Sequence, residues 1–429
     1  MRANIRRNEQ RRVVIVGGGL GGLRLALQLK DTGYQVVLID KNNYNQFPPL
    51  IYQVASAGLE PSNISFPFRR MFQNNKNFFF RMGEVNAINT DEKTIHTSFG
   101  TVHYNDLVLA AGATTNFFGN KNFENHTFPM KTVGESMQLR NTILARLEEA
   151  ECQDDEAKRE ALMTIVVVGG GPSGVEIAGA LAEMKRTVIH RDYPDLSARL
   201  HIYLINADDR LLKSMDPQSS AQAEDDLKGM GVHVRQNSKV VDYVDKEVVL
   251  ENGTRIPAET VVWVSGIVAN QIEGLPTDSI GRGRRILTDR FCRVKGVEDV
   301  YAIGDQSLVE GDPTYPYGHP QLAQVAMQQA STVADNLIRA DRGQTPRPFS
   351  YRNLGTMATI GRKKAVAEIG KLKFGGLSAW MLWLIVHLRS ILGVKNKTAV
   401  FLNWVWNYLN YKQSLRLILK ATGKPTDNR

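Results

Sequence analysis

The chain has little cysteine. Its 429 residues include two, Cys152 and Cys292, far apart in sequence. A CxxC or CxxxxC redox pair is therefore excluded, as is a multi-cysteine zinc or iron–sulfur site. No metal site is expected, and the scarcity fits a reducing compartment. The opening MRANIRRNEQRR is basic and has no apolar stretch before Val13, so no secretory signal is expected. A long apolar run is missing too. The best candidate is LSAWMLWLIVHLRSIL, residues 377–392. From Leu377 to Leu388 it forms a helix of about 18 Å, against a hydrocarbon core of roughly 30 Å. Extending it brings in His387 and Arg389, which are costly at mid-bilayer. A single transmembrane span is not expected. Acid is almost absent from the same region: from Ile369 to Arg429 there are ten Lys/Arg and one Asp. That tail carries the whole formal net charge of +9, and the rest of the chain sums to zero. A uniformly basic protein would suggest nucleic acid. A neutral body with a basic, Trp-rich tail suggests an anionic lipid surface instead, and no nucleic-acid partner.

What is present is glycine, in two matching places. RRVVIVGGGLGGLRLALQL and MTIVVVGGGPSGVEIAGAL lie about 150 residues apart. Each reads as a β-branched strand, then GxGxxG, then an apolar helix, so the chain repeats itself at domain scale. In the first copy Gly17 permits a tight turn, Gly19 lets a pyrophosphate approach the backbone, and Gly22 lets helix and sheet pack closely. The helix N-terminus offers free N–H groups to phosphate. The next strand, YQVVLID, ends at Asp40, which can accept from a ribose hydroxyl. Gly169, Gly171 and Gly174 repeat the pattern. The second copy departs at its acidic position, where HIYLIN ends in Asn206. Asn lacks the charge that repels a 2′-phosphate, and Arg210 is close in sequence, so strict preference for NADH over NADPH is not expected. Two tight turns that bind nothing are the alternative, and two complete matches in the right context argue against it.

Two dinucleotide folds suggest two dinucleotides, one held permanently and one exchanging. A flavin facing a nicotinamide is the usual chemical reason. Between and after the loops lie strand candidates: 104–112, 201–206, 232–236, 246–250, 259–266 and 298–305. Residues 134–162 and 320–340 read as helical, 341–349 as a linker, and 351–370 as paired strands.

These residues resemble a known superfamily, the flavoproteins with two dinucleotide-binding domains. It is marked here by GGGLGG with Asp40, LAAGATTNFFG (109–119), GGGPSGVE (169–176), WVSG (263–266) and VYAIGD (300–305). Within it the chain closely resembles the type II NADH dehydrogenases, non-pumping NADH:quinone oxidoreductases. FPPLIYQVASAGL (47–59), AQVAMQQA (323–330) and the AWMLWLIVHL tail carry that match. The resemblance implies an α/β fold of two Rossmann-like domains, an NAD domain inserted in a split FAD domain, followed by a C-terminal amphipathic helical membrane-binding region. The expected boundaries are 1–125 and 281–345 for the FAD domain, 126–280 for the NAD(P)H domain and 346–429 for the C-terminal region.

The resemblance also implies site residues. Tightly bound FAD is expected at Gly17, Gly19, Leu20, Gly22, Asp40, Lys41, Val85, Ala111, Gly112, Asp305, Ala323 and Gln324. NADH, the substrate, is expected at Gly169, Gly171, Gly174, Glu176, Asn206 and Gly266. Quinone is expected at Tyr52, Gln53, Gln324, Met327 and Gln328, with Phe47 beside them. On spacing alone Gln324 and Gln328 read as a solvated i,i+4 helix face. The resemblance makes them quinone partners, and an amide suits a carbonyl that accepts and a quinol that donates. Glu176 has a structural reading, an acid favourably placed at a helix N-terminus. The resemblance adds a role in proton relay towards the quinone. Glu176, Gln324 and Gln328 are thus the expected catalytic residues. Asn45 stands where relatives often carry His, which argues against acid–base chemistry there.

In the tail, Asn403, Asn407 and Asn410 share one helical face, and Lys412, Arg416 and Lys420 continue at i,i+4 spacing. Phe401, Trp404, Tyr408 and Tyr411 form another stripe, the composition of an interfacial helix. A buried core or dimer helix pair is the competing reading. The expectation is a peripheral flavoenzyme, a homodimer on the cytoplasmic face of the inner membrane, passing electrons from NADH through FAD to quinone. The alternatives are a soluble FAD-dependent NAD(P)H reductase with another acceptor and a non-catalytic NAD(H) sensor docked by its tail.

Overall fold

The structure is a computed structural model that describes residues 3–6, 8–410 and 416–418. Tyr411, Lys412 and Lys420 of the tail stripes lie outside the described residues, as do the side chains of Asn407, Tyr408 and Asn410. The chain divides into two compact units. The first takes the described residues up to Gln46, then Ser65–Thr114 and Ile267–Leu354; the second takes Phe47–Ile64, Thr115–Gly266 and the chain from Gly355 onward.

The first unit is built on a five-stranded sheet in the order Val300–Ala302, Asp106–Leu109, Arg12–Val16, Gln35–Asp40, Phe78–Met82. Every pairing is parallel, with Val13 opposite both Val36 and Asp106. Val13, Val14 and Ile15 are fully buried. That is why the strand is an unbroken β-branched run and not an alternating one: a parallel sheet is covered on both faces. The helices Leu20–Leu29 and Ala323–Asp341 pack together over it. An antiparallel meander, Val85–Asn89, Thr94–Thr97 and Gly100–His103, stands beside the sheet.

The second unit repeats the plan. Its parallel sheet runs Phe128–Pro129, Thr260–Trp263, Thr164–Val168, His201–Ile205, Val232–Arg235. The long helix Val133–Glu151 starts at a capping box, with Thr132 Oγ1 accepting from the Glu135 N–H at 3.2 Å and the Glu135 carboxylate accepting from the Thr132 N–H at 2.9 Å. The short helix Ile51–Ala55 packs on it and on Pro172–Met184. The expected paired strands are Thr356–Gly361 and Lys364–Ile369, joined by a third, Leu372–Gly375. Two helices follow, Gly376–Ser390 and Val394–Asn410. On the first, Ala379 and Trp383 are buried while Leu377, Met381 and Ile385 are exposed, so the i,i+4 pattern separates an inner from an outer face. Among the described residues no helix is long and apolar enough to cross a membrane.

Candidate functional site

The two glycine loops are built alike. In the first, the strand ends at Val16 and the chain turns at Gly17 with φ +99°; a Cβ there would stand 2.3 Å from the Ala110 carbonyl oxygen. A Cβ on Gly22 would stand 1.9 Å from the Gly17 oxygen. In the second, Gly169 has φ +120°, and a Cβ on Gly174 would stand 1.8 Å from the Gly169 oxygen. Only glycine fits either place. Gly19 and Gly171 are the N-caps of Leu20–Leu29 and Pro172–Met184, neither helix has a side-chain cap, and both glycines face open space. Uncapped N–H groups beside a gap without side chains make a phosphate cradle.

The other residues expected at the first cradle belong to the same unit. Asp40 accepts from the Gly18 N–H at 2.6 Å and from the Asn42 N–H at 2.7 Å; burial raises its carboxyl. Ala111 donates its N–H to Gln306 at 2.6 Å and its carbonyl accepts from Asn270 at 2.8 Å. Asp305 lies in the turn Gly304–Gln306, where its carbonyl accepts from Gln321 at 2.9 Å. Ala323 opens a helix whose N-terminus also lacks a side-chain cap. Leu20 is the first residue of its helix and Val85 of its strand; Lys41 is exposed, and Gly112 turns with φ +68°. Of the buried polar atoms without a partner among the described residues, two belong to side chains bonded to these turns: Asn45 Oδ1, whose amide nitrogen donates to the Gly18 carbonyl at 2.7 Å, and Gln329 Nε2, whose oxygen accepts from Gly304 at 2.6 Å. Orphan groups beside an open cradle fit a bound polar dinucleotide, and these residues would hold FAD.

Gln324, Met327 and Gln328 are half-buried on Ala323–Asp341. Both amides face main chain. The Gln328 amide makes a two-point clamp on Arg352, donating to its carbonyl and accepting from its N–H, each at 2.9 Å. Gln324 Oε1 accepts from the Leu354 N–H at 2.8 Å. The i,i+4 pair thus pins the 352–354 segment to the helix, a contact that spacing alone did not reveal.

In the second unit Glu176 is half-buried on Pro172–Met184 and accepts from the Thr359 backbone N–H. Burial nevertheless dominates and pushes its carboxyl up to about 8. Two turns on, Glu183 accepts from the Arg362 N–H, and burial raises its carboxyl too. Tyr52 is buried, and its hydroxyl is held well above the usual range, first by burial and then by Glu176. Gln53 donates to the Tyr52 hydroxyl at 2.9 Å and accepts from Trp404 Nε1 at 3.0 Å. Trp383 meets Tyr52 edge-on at 6.4 Å, stacks on His387 at 4.1 Å and lies 5.7 Å from Trp404. The His387 Nδ1–H donates to the Trp383 carbonyl at 2.8 Å, burial lowers the imidazole to about 4, and Phe47 meets it edge-on at 6.3 Å.

The expected aromatic stripe therefore divides. Trp404 turns inward to Gln53, while Phe401, Leu402, Val405 and Trp406 are exposed. Trp383, His387, Trp404 and Glu183 were missed as neighbours of the expected site. Only the i,i+4 step from Trp383 to His387 hinted at a shared inner face. Around the second cradle, Asn206 accepts from the Gly170 N–H at 3.1 Å, as Asp40 does from Gly18. Gly266, with φ +102°, accepts from the Asn116 N–H at 3.2 Å.

Residues 11–330 match the model of the pyridine nucleotide-disulphide oxidoreductase family, and 353–411 that of the NDH2 C-terminal domain. The type II NADH:quinone oxidoreductase NdhA of Mycobacterium tuberculosis is 35% identical, over 92% of this chain and 86% of that protein. The mitochondrial internal alternative NAD(P)H-ubiquinone oxidoreductase A1 of Solanum tuberosum is 29% identical, over 93% and 86%. The structure of NDH2 from Plasmodium falciparum in complex with NADH has the same fold, with a TM-score of 0.88 at 19% identity over 96% of this chain and all of that one. The chain belongs to the type II NADH:quinone oxidoreductases, within the pyridine nucleotide-disulphide oxidoreductase family.

Proposed function

We infer that this chain is a flavoenzyme that passes two electrons from NADH to a membrane quinone, without proton pumping, while resting on an anionic lipid surface. The observation that supports it most is the pair of like cradles, each with a positive-φ glycine and an uncapped helix. One suits a resident dinucleotide and the other an exchanging one. Bound FAD supplies the two-electron relay chemistry. The chain's own residues bind, orient and hold protons. The N–H groups beyond Gly19 and Ala323 receive negative charge in the first unit, and those beyond Gly171 receive the NADH pyrophosphate in the second. Gln324, Met327 and Gln328 are proposed acceptor contacts of the first unit, their amides fixed by the 352–354 main chain. In the second unit Glu176, with its carboxyl near 8, and Tyr52 both keep their protons at neutral pH. Both therefore serve a reaction whose product, a quinol, needs two protons. Gln53 orients the Tyr52 hydroxyl.

The lipid surface is supported by the outer face of the two last helices. Leu377, Met381, Ile385, Val394, Phe401, Leu402 and Trp406 are exposed there, and Lys371, Arg389, Lys395 and Lys397 stand nearby in a stretch of sequence that holds no acid. Apolar area and cationic charge add in binding an anionic interface such as the cytoplasmic leaflet.

The test is spectroscopic. The purified, FAD-reconstituted protein is expected to be yellow, to bleach anaerobically with NADH and to recover its colour with quinone. Bleaching without recovery would make it a soluble reductase of another acceptor. A colourless protein after reconstitution would make it an NAD(H) sensor.

A further inference from the structure

We propose that Asp209, in the turn after the strand His201–Ile205, makes this protein select NADH over NADPH, and that Asn206 is a positioning residue with no part in the choice. This rests on the NADH-oxidising half of the reading above and not on the quinone half.

Asn206 occupies the place of Asp40, but an amide does there what a carboxylate cannot. Its oxygen accepts from the Gly170 N–H at 3.1 Å. Its nitrogen donates to the Asp208 carbonyl at 3.2 Å and to the Arg210 carbonyl at 2.9 Å. Both amide hydrogens are committed, and the side chain is 7% exposed. Leu212 adds a bond from its N–H to the Gly170 carbonyl at 2.8 Å. The glycine loop and the 208–212 turn are therefore one hydrogen-bonded body, with Asn206 at its centre.

Two cations of this turn that could welcome a 2′-phosphate are engaged elsewhere. The Arg210 guanidinium donates to the Met215 carbonyl at 2.7 Å, the Lys213 carbonyl at 2.9 Å and the Ser220 hydroxyl at 3.1 Å. Lys213 Nζ pairs with Asp208 at 2.5 Å. Ala207, Asp208 and Asp209 are the exposed residues that follow Asn206, and Asp209 has no ion pair among the described residues. An NAD site places its discriminating acid at the end of this strand. Here the uncompensated acid is displaced by three residues, to Asp209, and the Asn206 braces hold that turn against the loop that takes the pyrophosphate. Discrimination then comes from repelling the wrong ligand as much as from binding the right one.

The experiment compares NADH with NADPH in anaerobic stopped-flow bleaching of the holoenzyme flavin, and NAD⁺ with NADP⁺ by calorimetry. The unmodified protein is expected to prefer the non-phosphorylated nucleotide by roughly tenfold or more in both measurements. Asp209→Lys is expected to raise the NADPH-to-NADH ratio of kcat/KM by about tenfold. Asn206→Asp should lower Tm and weaken both nucleotides alike, because a carboxylate oxygen would face the Asp208 and Arg210 carbonyls. Equal use of the two nucleotides by the unmodified protein would overturn the proposal. So would an unmoved ratio in Asp209→Lys, or an Asn206→Asp variant that sharpens NADH preference at unchanged Tm. Selective NAD⁺ binding in a protein that never reduces quinone would leave this inference standing and sink the acceptor reading instead.

Discussion

The glycine loops and the Tyr52–Trp404 cluster hold their surroundings by opposite means. In the loops, position is set by main chain: positive-φ turns, carbonyl oxygens against Cα atoms and uncapped N–H groups. In the cluster it is set by side chains: Trp404 to Gln53 to Tyr52, and Trp383 stacked on His387. Main-chain geometry tolerates no added atom but has no titratable group. A side-chain chain tolerates small changes and responds to protonation. The loops should therefore fail abruptly, and the cluster by degrees.

The largest expected effect is a paired one. Gly174→Ala places a Cβ 1.8 Å from the Gly169 oxygen, and Gly22→Ala places one 1.9 Å from the Gly17 oxygen. Either helix must shift by more than an ångström, which costs about 100-fold or more where ligand position decides rate. The expected outcomes differ in colour. Gly22→Ala should purify colourless. Gly174→Ala should stay yellow yet bleach about 100-fold more slowly at limiting NADH. If both are colourless, the two loops are not independent cradles, and the comparison breaks.

Next in size is the outer face. Ile385 is 61% exposed, so Ile385→Glu removes apolar area and adds an acid to a helix that holds none, without disturbing Trp383 within. Co-sedimentation with anionic vesicles is expected to fall about tenfold or more. Undiminished sedimentation would move the docking surface elsewhere. Trp404→Phe keeps the ring but removes the donor to Gln53. Losing one hydrogen bond of about 1 kcal/mol should raise the quinone KM about fivefold. No change in KM would show that the cluster braces the tail and not the acceptor.

The residues differ in how openly the sequence declared them. GxGxxG between a strand and a helix carries its own mechanism, so Gly17, Gly22, Gly169 and Gly174 and both parallel sheets were readable from local pattern. Asp40 and Asn206 were readable as a matched pair, but the meaning of the difference was not. Whether an amide faces a ribose or two carbonyls depends on the 208–212 turn. The tail showed period without phase: its apolar spacing gave helices, yet Trp404 faces Gln53 while Phe401 faces outward. The choice of inner face is made by contacts more than 300 residues away in sequence, which no local window contains. The same holds for Gln324 and Gln328, whose amide partners lie 24 to 30 residues further on.

Glu176 sharpens the comparison most finely, because it sits on the helix of the second glycine loop but behaves like the cluster. Its carboxyl titrates near 8 because burial disfavours the charge more than the Thr359 N–H favours it. The proposed role makes the protonated form the working acid at neutral pH. Quinone turnover should fall as pH rises through about 8, and Glu176→Gln, which can still accept from Thr359, should show a lower rate without that limb. Stability follows the same proton. The folded value lies above the ordinary 4.5, so between 4.5 and about 8 the folded state binds more protons than the unfolded one. Stability must decline as pH rises across that window. Glu176→Gln abolishes this contribution, so its Tm should vary less than that of the unmodified protein from pH 5 to pH 8. Parallel Tm profiles would show that Glu176 titrates normally, and the proton it was assigned would have to come from another group.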